Sequence, residues 1–296
     1  MFSELFLQTL ISGVMIGTLY ALMALGITFI YSIVKMINWA IGEFYMLGSY
    51  VQYVLVSMWL GPDLWYIAVP LSAFIIFLVG AAIEPILIKP MFQQGLDRRD
   101  EYATVVTIAL LLLLRNLMSA IAGPNQFTPG SHLPTVMLGP LPVSGARFAA
   151  FISALVILAA FYLLLKKTWY GLALRAAAQN RVGAQTSGID IWKLDQIAFG
   201  TGVSLAAVAG ALLAPIFLVY PTNGITTTVK GFEIIVIGGL GSIPGVLVAG
   251  LLLGIVESLG AAFISSPYQN VYGFVLVLLV LSISPAGLFG ERGRQA

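Results

Sequence analysis

Apolar runs of roughly 18 to 25 residues follow one another along the chain, and that is the length an α-helix needs to cross a hydrocarbon core about 30 Å thick. Nothing else in the sequence limits the fold so strongly. Hydrophobic residues make up 59% of the 296 and charged residues only 9%, a balance far from that of a soluble globular domain. A transmembrane barrel would need short alternating segments instead. The sequence predicts an all-α polytopic membrane protein: one transmembrane domain over residues 1–296, with about eight or nine spanning or half-spanning helices.

Hydropathy and breaker residues place spans near 5–30, 42–60, 65–88, 103–122, 147–165, 195–219 and 269–289. The first is too long for a signal-peptide core, lacks a basic leader and reads as a retained span. Between 228 and 264 two apolar pieces, 229–240 and 245–264, are split by GGLGSIPG (238–245), which predicts a broken or re-entrant helix followed by a full one. Lysine and arginine in short loops mark the cytoplasmic side. If 229–240 counts as a crossing, alternation puts Lys35, Lys89, Arg98, Arg99, Lys166, Lys167, Arg175, Arg181, Lys193, Arg292 and Arg294 together, leaving Arg115, Arg147 and Lys230 elsewhere. The expected orientation is N-terminus outside and C-terminus cytoplasmic.

The absence of cysteine excludes disulfides and thiolate metal sites. The single histidine, His132, falls in a polar loop with few acids, so no metal site is expected. GGLGSIPG lacks the Lys-Ser/Thr of a phosphate loop, and Pro244 spoils a dinucleotide fingerprint. No nucleotide site is therefore expected on this chain. The spans also lack histidine, cysteine and any acid pair at catalytic spacing, which makes an intramembrane enzyme the weakest class.

One stretch breaks the apolar pattern: the basic segment 166–194, in which LALRAAAQNRVGAQ (172–185) is rich in helix formers. Such a helix is too short to be stable alone in water and needs something to dock on. Either lipid phosphates hold its arginines, or a cytoplasmic partner meets its small residues. Leu172, Ala176, Gln179 and Gly183 fall on one stripe, with Arg175 and Arg181 pointing elsewhere.

The pattern GLALRAAAQNRVGAQTSGI (171–189) resembles the cytoplasmic coupling segment of ABC importer permeases of the branched-chain amino acid, LivH-type, family. NWAIGEFYMLGSY (38–50), EPILIKP (84–90), KGFEIIVIGGLGSIPGVLVAGLLLG (230–254) and PAGLFG (285–290) resemble the same family in the same order. The sequence departs from it at Trp39, Ile41, Pro85, Phe92 and Gln179. The resemblance implies a permease in a bacterial or archaeal plasma membrane, carrying branched-chain or related hydrophobic amino acids. It implies as partners a homologous second permease or a second copy, two cytoplasmic ATPases holding ATP and Mg, and an external solute-binding protein. No cofactor is implied on this chain and no nucleic acid is expected. Coupling to the ATPases would then fall to Gly171, Arg175, Ala176, Ala177, Gln179, Asn180, Gly183 and Gly188. Relatives for urea or short amides, and an ion-coupled secondary transporter, are the alternatives.

Ionisable groups within spans are costly and so become candidates for function. Pathway or gate candidates are Asn38, Glu43, Gly238, Gly239, Gly241, Pro244 and Glu257. For the glycines, a pathway-facing helix end competes with plain tight packing. Structural ion pairs are expected among Lys35, Glu84, Lys89, Arg115, Lys230 and Glu233. Glu43 is placed at the cytoplasmic end, close to Lys35; Arg115 is set to meet Glu257 or Glu233, and Lys230 to meet Glu233 one turn away. Gly13 with Gly17, and Gly250 with Gly254, form two Gly-x-x-x-Gly pairs that permit close helix contact.

Overall fold

The computed structural model describes residues 2–93, 98–130, 133–139 and 141–290. His132, Arg292 and Arg294 lie outside the described residues. The chain is helical almost throughout: α1 (Phe2–Val34), α2 (Ile41–Val54), α3 (Trp65–Ile83), α4 (Lys89–Gln93), α5 (Arg99–Ala122) and α6 (Gly145–Lys167). Then follow α7 (Trp169–Gln179), α8 (Arg181–Thr186), α9 (Ile191–Leu213), α10 (Asn223–Gly238), α11 (Ile243–Phe263) and α12 (Gln269–Ile283). A hairpin of β1 (Val136–Leu138) and β2 (Leu141–Val143) lies between α5 and α6.

Seven helical segments among the described residues are long and apolar enough to cross a membrane. Two shorter helices complete the bundle. α2 has 14 residues and continues through a π turn at Leu55–Leu60, and α10 has 16. At 1.5 Å per residue, α10 rises about 24 Å, less than a full span. Its start at Asn223 precedes the expected 229 because Asn-Gly-Ile-Thr-Thr-Thr hides its polarity inside the bundle: Thr226 and Thr227 donate to the Asn223 carbonyl, and Thr228 to that of Gly224.

α9 is the hub, with 78% of its apolar window buried against 17% for α5 and α6 and 11% for the α12 span. The last three turn leucine, valine and phenylalanine outward, as a hydrocarbon solvent allows. α1 runs antiparallel to α11, and here the two Gly-x-x-x-Gly pairs find each other. A Cβ on Gly17 would come 2.8 Å from the Gly250 carbonyl oxygen, and one on Gly13 2.9 Å from Ile255 Cα. Both pairs serve packing within one chain.

Two ends can be told apart. One holds the β-hairpin, the α5–α6 connection and the 214–222 segment, joined where Phe127 and Val219 exchange backbone bonds of 2.8 Å. The other holds α7, α8, the α10–α11 loop and the 285–290 segment. After Val34 the chain turns back: Lys35 takes the left-handed conformation (φ 58°) and its N–H closes on the Tyr31 carbonyl at 3.1 Å. Trp39 then packs on Phe232, ring centroids 4.6 Å apart, and Gly42 backs onto Gly224. α2 consequently starts inside the bundle.

Candidate functional site

Glu43, in the first turn of α2, is carried inward with it. This corrects its expected place near Lys35 at the bundle's end. Arg115 is its partner, with Nη2 at 3.0 Å and Nε at 3.3 Å from Oε1. Arg115 therefore meets neither Glu257 nor Glu233. Lys35 instead stands over the Tyr31 ring at 5.9 Å. Asn38 is buried in the preceding turn, where its Oδ1 accepts the Ala40 N–H at 3.0 Å.

Lys230 does not pair with Glu233 either. Its ammonium bonds to Glu257 Oε1 across the α10–α11 contact and lies over the Tyr20 ring at 5.2 Å. The other oxygen of Glu257 accepts from Tyr20 (3.2 Å) and Gln269 (3.3 Å). Three donors from α1, α10 and α12 converge on this one carboxylate, which is why the cation goes there. Glu233 turns toward Gly273 of α12, and its Oε2 is buried without a hydrogen-bond partner.

Beside the Lys230–Glu257 pair lies a cavity of about 450 Å³ at the hairpin end. Tyr20, Tyr45, Asn223, Thr227, Lys230 and Gln269 supply its polar lining; Met23, Leu213, Ile216 and Phe217 supply apolar surface. Of these residues only Lys230 was singled out from the sequence. The signal available was the polar run 223–230 ahead of an apolar stretch.

The break at 238–245 is real and lies at the opposite end. α10 stops at Gly238, Gly239 (φ 98°) and Gly241 (φ 83°) turn the chain, and Ser242 caps α11 by accepting the Gly245 N–H at 3.2 Å. Pro244 sits in the first turn of α11, where no N–H is needed. The 285–290 segment covers the break: the N–H groups of Leu288 and Phe289 donate to the Ile237 and Gly238 carbonyls at 2.8 and 3.1 Å. Gly238 and Gly245 meet backbone to backbone.

The 166–194 insert is two helices rather than one. Asn180 (φ −152°, ψ 99°) ends α7, and its side chain caps α8 by accepting the Gly183 N–H at 2.9 Å. Gly171, Ala173, Leu174 and Ala177 face the bundle, whereas Leu172, Arg175, Gln179, Asn180, Val182 and Gly188 face outward, with Ala176 and Gly183 between. Arg175 thus joins the outward stripe. Gly171 and Ala177 are packing positions, since a Cβ at Gly171 would overlap the Leu165 carbonyl. Asp190 caps α9, and the Lys193 N–H it accepts holds its carboxyl below the usual range. Burial pushes the Tyr170 phenol up.

Arg181 turns inward to partners that are distant along the chain. Its guanidinium makes a two-pronged contact with buried Asp195 of α9, reaches the Ile33 carbonyl at 3.4 Å and lies over Phe92 at 4.5 Å. Lys89 lies over Trp192 at 5.3 Å, and Trp192 meets Phe92 at 6.3 Å. Glu84 is buried nearby, among the charges of Asp195, Lys89 and Arg181. One arginine thereby ties the insert to α1, α4 and α9. A lone acid four residues past the Ile191 start of a span was the clue.

Residues 9–283 match the family described as branched-chain amino acid transport system / permease component. The chain belongs to this family of permeases. The permease is 34% identical over 299 residues to the high-affinity branched-chain amino acid transport system permease protein LivH of Salmonella typhimurium, covering 97% of this chain and 96% of the relative. It is 30% identical to the corresponding permease protein BraD of Pseudomonas aeruginosa, with the same coverage. A probable branched-chain amino acid transport permease protein LivH of Methanocaldococcus jannaschii is 31% identical over 94% of the permease and 90% of the relative. No solved structure matches it.

Proposed function

We infer that this chain is the membrane-spanning subunit of an ATP-driven ABC importer, giving passage to branched-chain or related hydrophobic amino acids handed over by an external solute-binding protein. The observation that carries this reading is the insert, a two-helix platform on an otherwise apolar bundle, outward-facing through Leu172, Arg175, Gln179 and Val182 and pinned to the spans by Arg181. Val182 is 70% and Leu172 57% exposed, apolar area that a partner protein would cover. The relatives, which are named as branched-chain amino acid transport permeases, agree with the substrate class.

The working complex pairs this permease with a homologous second permease or another copy of itself and with two cytoplasmic ATPases. ATP and Mg belong to those ATPases, and this chain has no catalytic role. The insert end is cytoplasmic, so that the N-terminus of α1 is outside and the C-terminus inside, in the plasma membrane of a bacterium or archaeon. Lysine and arginine at Lys35, Lys89, Arg98, Arg99, Lys166, Lys167, Arg175 and Lys193 crowd that end, in keeping with the positive-inside rule.

Two substitutions separate docking from transmission. Val182→Asp puts a charge into the docking face and is expected to release the ATPases and abolish ATP-driven uptake while the bundle stays monodisperse in detergent. Arg181→Ala is expected to keep the ATPases bound but cut uptake by about tenfold or more, because their motion no longer reaches α1, α4 and α9. Uptake at the wild-type rate in both variants would refute the insert's role.

A further inference from the structure

The cavity at the hairpin end has the chemistry of a small zwitterion's site. Lys230 presents an ammonium with three donors; one is used on Glu257, and its side chain is 14% exposed where it borders the cavity. Glu257 itself is 1% exposed, already supplied by Tyr20 and Gln269, and it holds the lysine in place. Asn223, from the first turn of α10, lines the same cavity, and its Oδ1 is buried with no hydrogen-bond partner. Lys230, with donors to spare, thus borders a space of about 450 Å³, within the range of small-molecule sites, and the unpartnered Asn223 Oδ1 lies in its wall, closed off from the space until the side chain turns. Met23, Leu213 and Ile216 line the rest with aliphatic surface.

We propose that this cavity is a transit site for one aliphatic α-amino acid: Lys230 takes the carboxylate, Asn223 turns its side chain to bring Oδ1 to the ammonium, and Met23, Leu213 and Ile216 take the side chain. The importer reading supplies only the direction of travel. The internal Lys230–Glu257 pair keeps the affinity modest. The Glu257 carboxylate already neutralises the lysine when the cavity is empty, so the ligand's carboxylate competes with it, and release stays easy as passage requires. An amide or urea lacks the carboxylate that Lys230 selects, which favours amino acids over those alternatives.

The test is binding of labelled leucine to the full chain in lipid nanodiscs, competed by 3-methylbutylamine, which lacks the carboxylate, and by 4-methylpentanoate, which lacks the ammonium. Leucine is expected to bind, and each analogue to compete about tenfold or more weakly, since each forfeits a charge-assisted hydrogen bond. Lys230→Met should weaken leucine by a similar factor and should not weaken the amine. If that variant does not fold, Lys230→Met with Glu257→Leu removes both buried charges together and gives the same comparison. Absence of leucine binding, equal competition by the analogues, or wild-type affinity in the lysine variant would overturn the proposal. ATP-driven uptake by the reconstituted complex, measured in parallel, separates the two readings. Uptake without binding here sinks the transit site alone, and charge-dependent binding without ATP-driven uptake sinks the importer alone.

Discussion

Arg115→Met is expected to lower stability by about 3–5 kcal/mol, the usual consequence of removing one partner from a buried ion pair. Glu43 is 0% exposed, and the only hydrogen bonds to its carboxylate among the described residues come from Arg115. Without the guanidinium the carboxylate is left uncompensated among apolar side chains, or must take up a proton. The partner substitution distinguishes the two ways of losing the pair. Glu43→Gln combined with Arg115→Met leaves no net charge behind and should recover most of the loss. Thermal unfolding in detergent of wild type, both single variants and the double variant measures the coupling directly. Additive effects would show that the pair contributes nothing as a pair. Uptake by the double variant then says whether Glu43 acts in gating or only in holding α2 against α5.

Gly17→Leu is expected to be more damaging still, preventing accumulation of a folded chain. Its Cβ would lie 2.8 Å from the Gly250 carbonyl oxygen and 2.9 Å from Leu251 Cα, both backbone atoms that cannot swing aside. The rest of the side chain would have to force α1 from α11 along their whole contact, and overpacking of this kind exceeds the about 1–3 kcal/mol of a tolerable core insertion. Gly17→Ala should give a smaller version of the same defect. Size-exclusion profiles of fluorescently tagged variants compare them, and a monodisperse Gly17→Leu peak at wild-type yield would contradict the packing described.

The spans were legible because a hydrocarbon solvent demands unbroken apolar runs, and the break at Gly238–Gly245 because glycine and proline leave few other readings. α10 began earlier than hydropathy suggested, since Thr226, Thr227 and Thr228 hide their hydroxyls on its own carbonyls. The partners of the buried charges were not legible. Glu43 and Arg115 are separated by 72 positions and Lys230 and Glu257 by 27, so sequence proximity pointed to Lys35 and Glu233 instead. Asn180 concealed a helix break within an otherwise helix-prone stretch, because its cap on Gly183 satisfies the turn locally. In the sequence Arg181 is one of several basic residues of the insert, and only the fold brings Asp195, Ile33 and Phe92 to it.

The most direct test is affinity purification of the tagged full-length permease from its native membrane in mild detergent, with mass spectrometry of whatever accompanies it. The account predicts two P-loop ATPases together with a homologous permease or a second copy of this one, and their loss from the Val182→Asp variant. Recovery of the chain alone, under conditions that keep other membrane complexes intact, would contradict it and leave the two-helix insert as a structure resting on lipid headgroups.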